Sequence, residues 1–235
     1  MRTGIFVQVR LGSTRLPGKA LLALPGGTVI QHVMRALREV SADVHALLTD
    51  AGSLAALRPA AEAEGFALLA GPEEDVLGRY GMAIRRFGVS EVIRATGDNP
   101  LTSGRLARGI LGLHRAEQAE LSHYRGVPWG SGVEVVDAEA LLAAERDARL
   151  PDEREHITTF LYRHPERFRI VEPAAPGYAD CADCRVTVDT PDDLERVRGI
   201  FDALYQGGPI EIDRVIAWLR EHPAAASGCR EPAVG

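Results

Sequence analysis

Cysteine and long hydrophobic runs are both scarce in this sequence, and each shortage excludes a class of protein. The 235 residues include three cysteines, an odd number that does not suggest a disulfide framework. No stretch approaches the roughly 20 consecutive apolar residues of a membrane-spanning helix. The apolar run at 5–9 is also too short for the hydrophobic region of a signal peptide. We therefore expect a cytoplasmic protein with no membrane partner.

Positive charge is in short supply as well, and the formal net charge is −6. Bulk charge of this sign does not favour nucleic acid as a partner. Two glycine-rich phosphate-binding motifs, the Walker loop and the Rossmann fingerprint, are absent. Hydrophobic residues make up 46% and charged residues 26%, which is ordinary for a globular protein. Any phosphate site must therefore be a local basic pocket in an acidic protein.

The first half of the chain alternates between short apolar runs and amphipathic segments. This alternation predicts strands at 5–9, 44–48, 66–70 and 91–96, and helices at 28–40, 53–64, 72–87 and 103–116. Such a rhythm is typical of an α/β protein with a mainly parallel sheet flanked by helices.

The second half is less regular. Its pattern predicts strands at 132–136, 168–172 and 185–188, and helices at 137–146, 151–163, from 190 onward and at 212–221. No internal repeat or clear linker interrupts the chain, so we expect a single domain over 1–222. The remainder, 223–235, is rich in Ala, Gly and Pro and is predicted to be a flexible tail.

A basic loop follows the first predicted strand and has the sequence Arg10-Leu-Gly-Ser-Thr-Arg15-Leu-Pro-Gly-Lys19. Its three cations suit a triphosphate, and its glycines let the backbone approach an anion closely. Ser13 and Thr14 add hydroxyl and amide donors. Ligands of open parallel sheets bind at the carboxyl ends of strands, where this loop is expected. A basic loop alone could equally be a solvated surface feature. The hypothesis of a triphosphate site therefore also depends on Asp98 and Asp189.

Two aspartates each follow a predicted strand. Asp98 lies in Arg-Ala-Thr-Gly-Asp-Asn-Pro and Asp189 in Arg-Val-Thr-Val-Asp-Thr-Pro. A carboxylate that faces a triphosphate is a natural Mg²⁺ ligand, and Mg²⁺ takes only one or two carboxylates beside phosphate oxygens and water. The alternatives are a turn or capping aspartate at Asp98 and a helix cap at Asp189. We predict that both aspartates hold the metal.

A further polar set lies in the second half of the chain. Glu134 alternates with valines and should point away from their face. Arg154, His156 and Thr158 belong to a predicted helix near the site and could contact the substrate. A solvated polar helix face is an equally good interpretation of these three residues.

The pair Cys181 and Cys184 has the C-x-x-C spacing of a metal site. No second pair exists, and only Cys229 and His222 could help to complete a zinc site. A loop or a redox-sensitive pair is therefore favoured over zinc.

Together, these segments resemble the sugar-acid cytidylyltransferases, the group of the CMP-Kdo and CMP-sialic acid synthetases. Loop 10–19 is similar to the signature loop of that group. The supporting strings are Glu-Asp-Val-Leu-Gly-Arg-Tyr at 74–80, Gly-Asp-Asn-Pro at 97–100, Glu-Val at 134–135, Arg-Glu-His-Ile-Thr at 154–158 and Val-Asp-Thr-Pro-Asp-Asp-Leu at 188–194. The synthetases usually have alanine before the loop arginine. Here Gln-Val precedes it, which is the pattern of the spore-coat polysaccharide biosynthesis protein F branch.

The resemblance implies a Rossmann-like nucleotide-diphospho-sugar transferase fold of the GT-A type, with CTP and Mg²⁺ as reactants and a homodimer as the assembly. The implied catalytic residues are Arg10, Arg15, Lys19 and Asp98. The implied nucleotide contacts are Gln8, Val9, Arg10, Leu11, Gly12, Ser13, Arg15, Lys19, Asp75, Arg94 and Thr96. The implied metal ligands are Asp98 and Asp189, and the substrate contacts are Glu134, Arg154, His156 and Thr158.

The leading hypothesis is a cytidylyltransferase that joins CTP to an acidic sugar or a related small acceptor and releases pyrophosphate. A glycosyltransferase of the same fold is the second hypothesis. Such enzymes typically place a D-x-D pair on the metal, and no second acid lies two residues from Asp98. A non-catalytic nucleotide-binding protein is the third. The sequence leaves the acceptor open, with a nonulosonic acid, an octulosonic acid or a small phosphonate or phosphate as candidates.

Overall fold

A seven-stranded mixed sheet with helices on both faces forms the centre of the molecule. The computed structural model describes residues 1–175 and 177–223. The tail expected at 223–235 lies outside the described residues from 224 onward. The expected single domain over 1–222 stays a prediction.

The strands and helices are numbered in chain order. The strands are β1 (Thr3–Gln8), β2 (Ala23–Leu24), β3 (Gly27–Thr28), β4 (Val44–Asp50), β5 (Ala67–Gly71), β6 (Glu91–Thr96), β7 (Leu121–His123), β8 (Glu134–Asp137) and β9 (Ile170–Val171). The α-helices are α1 (Val29–Arg38), α2 (Leu54–Glu64), α3 (Val76–Phe87), α4 (Gly104–Ala116), α5 (Ala138–Asp147), α6 (Pro151–Glu155), α7 (Thr159–Arg163), α8 (Pro191–Leu204) and α9 (Ile212–Glu221). Short 3₁₀ turns lie at Lys19–Leu21 and Ala179–Cys181.

The sheet has the strand order β5-β4-β1-β6-β8-β7-β9. The first four strands in this order run parallel, because each is joined to the next along the chain by a helix that returns across a face. Strand β8 runs antiparallel to both β6 and β7. The predicted mainly parallel α/β sheet is therefore confirmed, with one reversed strand that the sequence pattern did not indicate.

Neighbouring residues of β1 enter opposite cores, because side chains alternate across a strand. Phe6 packs in a first core with α3, α5 and α7. Ile5 and Val7 pack in a second core with α1, α2 and α4. A third core lies beside the sheet and holds α8, α9, Cys181 and Cys184. These three cores hold the strands and helices in place, and with them the loops that follow the carboxyl ends of the strands.

Several predicted elements differ from the observed ones. Residues 185–188 form no strand but a single bridge from Arg185 to Trp129, because Val188 N instead donates to Asp98 O at 2.9 Å. The predicted helix 151–163 is divided into α6 and α7 at His156, whose backbone is extended (φ −106, ψ 93). The helix predicted from 72 begins at Val76. Strand β7 was missed because three residues carry too little periodicity.

The longest described helix, α8, has 14 residues. None of the described helices combines the length and the apolar character that crossing a bilayer requires.

Candidate active site

A cavity of about 810 Å³ opens where β1 and β6 end, the edge at which open parallel sheets bind ligands. Its volume lies in the range of small-molecule sites. The predicted site residues that line it are Gln8, Val9, Arg10, Gly12, Ser13, Arg15, Lys19, Arg94, Thr96, Asp98, Glu134, His156 and Asp189. Four others, Leu11, Asp75, Arg154 and Thr158, do not line it. The tertiary structure therefore brings most of the predicted set into one place.

The centre of the cavity is an ammonium group held between two carboxylates. Lys19 Nζ donates to Asp98 Oδ2 at 2.6 Å and to Asp189 Oδ1 at 2.5 Å. The side chains of Lys19, Asp98 and Asp189 are 13%, 24% and 16% exposed, respectively. At such low exposure, the attraction between opposite charges is screened less by water than at an open surface. Residues 19, 98 and 189 thus form one compact charged cluster.

Further cations surround this cluster. Arg185 Nη2 lies 3.2 Å from Asp189 Oδ2, and Arg15 Nη2 lies 3.6 Å from the same oxygen. Arg10 is at the outer wall, where its Nη2 lies 3.5 Å from Glu155 Oε1. Six basic and four acidic side chains line the cavity, so it has local positive charge inside an acidic molecule. This is the local basic pocket that the net charge required.

The basic loop is fastened at its start and at its end. Leu11 N donates to Ser53 Oγ at 3.0 Å, and the Ser53 hydroxyl donates to Asp50 Oδ2 at 2.7 Å. Gly18 N donates to Leu11 O at 3.1 Å, and Gly18 has a φ of +67 that favours glycine. Burial alone would raise the pKa of Asp50, but hydrogen bonds from Ser53 and from backbone amides lower it below its usual value. A charged Asp50 therefore supports the loop from beneath.

Sequence reasoning missed this role of Asp50 and Ser53. Ser53 is the first residue of the predicted helix 53–64, and it occupies the N-cap position of α2. Its side chain makes no capping hydrogen bond there, because the hydroxyl is used by Leu11 and Asp50 instead. The position of Asp50 at the carboxyl end of β4 was the available signal.

Asp98 is positioned by a tight approach of β6 to β1. Gly97 N donates to Gln8 O at 2.8 Å, and a Cβ atom on Gly97 would lie 2.7 Å from Val9 Cβ. Only glycine therefore fits there without displacing the loop. The N-cap of α4 is Ser103, whose side chain accepts from Leu106 N. Asp98 therefore lies in the turn after β6 and does not cap that helix.

Asp189 is positioned next to Asp98 by the backbone of the same segment, since Val188 N donates to Asp98 O. The cap of α8 is Thr190, which forms a reciprocal capping box with Asp193. Burial alone would raise the pKa of Asp193, but hydrogen bonds led by that from Arg196 lower it below its usual value. The carboxylate of Asp189 is thus released from capping and directed at Lys19.

A hydrogen-bonded network forms the floor of the cavity. Arg94 Nε donates to Gln8 Oε1 at 3.3 Å, and Arg94 Nη1 donates to Glu134 Oε2 at 3.1 Å. Thr158 Oγ1 donates to Glu134 at 3.2 Å, and Tyr162 OH donates to Glu134 Oε1 at 3.2 Å. The predicted substrate contacts Glu134 and Thr158 therefore contact each other. The Glu134 carboxylate accepts from Thr158 and from Arg94, and it thereby fixes Arg94 in the floor of the cavity.

Asp75 and Arg154 meet outside the cavity. Asp75 accepts from Gly78 N at 2.8 Å and so caps α3. It also accepts from Arg154 Nη2, and Arg154 Nη1 donates to Glu145 O at 2.6 Å. In this arrangement both side chains join helices to one another, and their predicted ligand contacts stay predictions.

The wall opposite the basic loop was missed by sequence reasoning. It is formed by the connection between β7 and β8, and its members on the cavity are His123, Tyr124, Arg125, Gly126, Val127, Trp129, Gly130, Gly132 and Val133. No role was predicted for residues 117–131, because the short β7 gave no strand signal to place them beside the site.

Cys181 and Cys184 are free thiols buried in the third core. Burial raises the pKa of Cys184 to about 11, so its thiol is protonated at neutral pH. Among the described residues, no group of three or more His, Cys, Asp or Glu side chains is arranged to hold a metal ion. The preference for a loop or a redox-sensitive pair over zinc stays a prediction.

Comparison with known proteins identifies the family of this chain. The family model for cytidylyltransferases matches residues 5–212. This chain belongs to the cytidylyltransferase family. This cytidylyltransferase is 28% identical over 228 residues to the spore coat polysaccharide biosynthesis protein SpsF of Bacillus subtilis, covering 94% of this chain and 95% of that protein. It is 27% identical over 237 residues to a 3-deoxy-manno-octulosonate cytidylyltransferase of Anaeromyxobacter dehalogenans, covering 85% and 97%. The expected resemblance to both groups is confirmed, and the protein is a nucleotidyltransferase.

Solved structures confirm the predicted fold. A cytidylyltransferase from Leptospira borgpetersenii superposes with a TM-score of 0.90 at 24% identity, covering 99% of both chains. A CMP:2-keto-3-deoxy-manno-octonic acid synthetase complexed with CTP superposes with a TM-score of 0.66 at 20% identity, covering 86% of this chain and 99% of that chain. The seven-stranded sheet is thus that of the nucleotide-transferase fold.

Proposed function

We propose that this cytidylyltransferase transfers CMP from CTP to an acidic sugar or a related small acceptor and releases pyrophosphate. The observation that carries the proposal is the Lys19 ammonium between Asp98 and Asp189, with Arg15 3.6 Å from Asp189. This arrangement combines the cations that a triphosphate needs with the two acids that a divalent metal needs. The same group of charges has no structural capping role, which supports a chemical one.

The reaction is a substitution at the α-phosphorus of CTP. The acceptor oxygen forms a bond to that phosphorus, and the bond from the phosphorus to the oxygen bridging to the β-phosphate breaks. Pyrophosphate leaves, and the proton of the acceptor hydroxyl passes to solvent. Arg15 and Lys19 stabilise the charge of the departing pyrophosphate, with Arg10 close by on the cavity wall. Positioning of the two reactants supplies much of the remaining acceleration.

The donor set fits Mg²⁺. Asp98 Oδ2 and Asp189 Oδ1 lie 2.6 and 2.5 Å, respectively, from Lys19 Nζ. The two carboxylate oxygens therefore converge on a point that already holds a positive charge. Two carboxylates are also as many as Mg²⁺ usually takes when phosphates and water complete its shell. Asp98 and Asp189 would hold the ion, and when bound it neutralises phosphate charge. The preference for Mg²⁺ over other divalent ions is part of the proposal.

Pyrophosphate release tests the proposal directly. The protein is incubated with Mg²⁺ and each nucleoside triphosphate against a panel of sugar acids, sugar phosphates and phosphonates. We expect release with CTP and at least one acidic acceptor, and loss of release on addition of a chelator. Folded protein that releases no pyrophosphate with any pair would contradict the proposal. Release of a nucleoside mono- or diphosphate from a nucleotide sugar would instead support the glycosyltransferase hypothesis.

The expected homodimer and the expected cytoplasmic location stay proposals. Light scattering coupled to size-exclusion chromatography tests the first of these, with a mass of twice 25.4 kDa as the expected result.

A further inference from the structure

Trp129 lies on the cavity wall that is formed by the connection between β7 and β8. Its side chain is 65% exposed, although tryptophan is highly buried on average. It lines the same cavity as Lys19, Asp98 and Asp189. A residue with a large, exposed apolar ring thus lines a cavity that is otherwise rich in charged groups.

The backbone beneath this ring is fixed. Trp129 N donates to Cys184 O and Val186 N donates to Trp129 O, both at 2.8 Å. Cys184 and Val186 belong to the third core, so the attachment is rigid. Ser131 N and Oγ both donate to Pro128 O, at 3.0 and 2.8 Å, which closes the turn around Trp129. The exposure of the ring therefore does not result from a loose loop.

Trp129 also lies beside the two segments that carry Asp98 and Asp189. The next residue, Gly130, is so close to Asn99 and Thr187 that a Cβ atom would lie 3.1 Å from Asn99 Oδ1 and 3.0 Å from Thr187 Cα. Asn99 directly follows Asp98, and Trp129 forms a bridge to Arg185, which pairs with Asp189. Trp129 is thus fastened to the segment that carries the acid cluster.

The position of this wall in the sheet assigns it to one half of the reaction. The basic loop follows β1, whereas the Trp129 turn joins β7 to β8, on the other side of β6 and Asp98. A triphosphate on the basic loop therefore leaves the Trp129 side to the second substrate. Arg125 lines the same wall, with Nε donating to Glu172 O at 2.8 Å. Within 1–175 and 177–223 it forms no ion pair with a carboxylate.

Building on the proposed function, we propose that Trp129 stacks against the ring of the acceptor, which is therefore a cyclic acid rather than a linear phosphonate or phosphate. An indole face contacts an apolar ring face over a large area and loses little conformational entropy on binding. Arg125 supplies a cation on the same wall for the acid group. The basic loop recognises the nucleotide, and Trp129 selects the shape of the acceptor.

The test compares Trp129→Ala and Trp129→Phe with wild-type protein in the pyrophosphate assay. We expect KM for a cyclic sugar acid to rise about tenfold in Trp129→Ala and less in Trp129→Phe, because lost apolar burial costs about that factor. KM for CTP should not change. The matched control is Trp218→Phe, since Trp218 stacks on His222 outside the cavity. An unchanged KM for the acceptor, or a raised KM for CTP, would overturn the assignment.

Fluorescence gives a readout that does not depend on turnover. In Trp218→Phe protein, Trp129 is the only tryptophan of the chain. We expect its emission to change on titration with 3-deoxy-manno-octulosonic acid or N-acetylneuraminic acid, and not with 2-hydroxyethylphosphonate. If 2-hydroxyethylphosphonate is an equally good acceptor and changes the Trp129 emission equally, the proposed preference for a cyclic acceptor is wrong. If Trp129→Ala changes the oligomeric state but not the acceptor KM, Trp129 belongs to an interface between two copies of the chain instead.

Failure of the proposed function is recognisable separately. Wild-type protein that releases no pyrophosphate with any acceptor contradicts the transferase proposal itself. Wild-type protein that is active while Trp129→Ala retains the same acceptor KM contradicts only the role of Trp129.

Discussion

The residues that form the charged cluster come from three distant points of the chain, at 19, 98 and 189. Each carboxylate lies beside a helix whose cap is provided by another residue, Ser103 or Thr190. A capped helix does not need the neighbouring aspartate, so helix capping does not explain Asp98 or Asp189. This local arrangement leads to the first prediction at the residue scale.

We expect Asp98→Asn to lower the rate of pyrophosphate release by on the order of 10²–10³, because an amide holds a divalent cation and orients Lys19 far more weakly. Stopped assays of kcat and KM would measure the loss. The control is Asp192→Asn, since Asp192 is exposed on the first turn of α8 and should retain full activity. Unchanged turnover in folded Asp98→Asn protein would remove Asp98 from the site.

Glu91 gives a second prediction, on stability. It is fully buried and accepts from Thr3 Oγ1 at 2.6 Å and from Arg115 Nε at 3.1 Å. Burial alone would raise its pKa, but the hydrogen bonds from Arg115 and Thr3 lower it below the usual value. Its stabilising effect is therefore complete above the unfolded-state pKa of about 4.3 and is lost as pH falls through the lower folded-state value.

We expect Glu91→Gln to lower the free energy of unfolding by about 1–3 kcal/mol at pH 7. The difference from wild type should shrink below about pH 4. Urea titrations at several pH values measure both effects. Glu117→Gln is the matched control, because its pair with Arg169 is 50% and 59% exposed and should contribute little. A difference at pH 3 that is as large as at pH 7 would contradict the role of the carboxylate charge.

Among the helices, α3 begins at a side chain that has both a structural role and a predicted ligand contact. Asp75 belongs to a string that resembles the family, and it was predicted to contact nucleotide. In the structure it caps α3 and pairs with Arg154 of α6, away from the cavity lining. The string at 74–80 is therefore compatible with a structural role for Asp75, as the cap of α3, as well as with a nucleotide contact.

The third prediction separates these two roles of Asp75. We expect Asp75→Ala to lower the free energy of unfolding by about 1 kcal/mol through loss of the cap, with KM for CTP unchanged. Asp75→Asn should retain most of the stability, because asparagine also caps helices. A raised KM for CTP in folded Asp75→Asn protein would establish the nucleotide contact instead.

Over the described part of the chain, two cores pack on the faces of the seven-stranded sheet, and a third core beside it encloses Cys181 and Cys184. Their thiols are reached only if this core opens, and the pKa of Cys184, raised to about 11 by burial, leaves little thiolate below pH 9. The fourth prediction is that both thiols resist a disulfide reagent at pH 8 until the protein unfolds. A Cys229→Ser background confines the measurement to this pair.

If 1–222 fold as one domain, thiol exposure, loss of helical circular dichroism and the change in tryptophan emission should share one urea midpoint. Thiol reaction at a lower urea concentration than the loss of helix would show that the third core opens separately. Rapid reaction of the pair in native protein would contradict the protection predicted from burial.

The class of fold, the basic loop, the two acids and the family resemblance could all be predicted from the sequence. These are local signals, because hydrophobic period, glycine and charge can be recognised without knowing which segments meet. The comparisons and the sheet confirmed the family and the fold.

Only the tertiary structure decided which predicted residues share the cavity and which, like Asp75 and Arg154, serve helix packing. It also revealed Asp50 and Ser53 beneath the loop, and the wall that carries Trp129. These features depend on contacts between segments far apart in the chain, such as Val188 N with Asp98 O and Trp129 with Cys184. Such contacts leave no periodic pattern in either segment, because the period records which side chains face a core and not which backbone lies beside it.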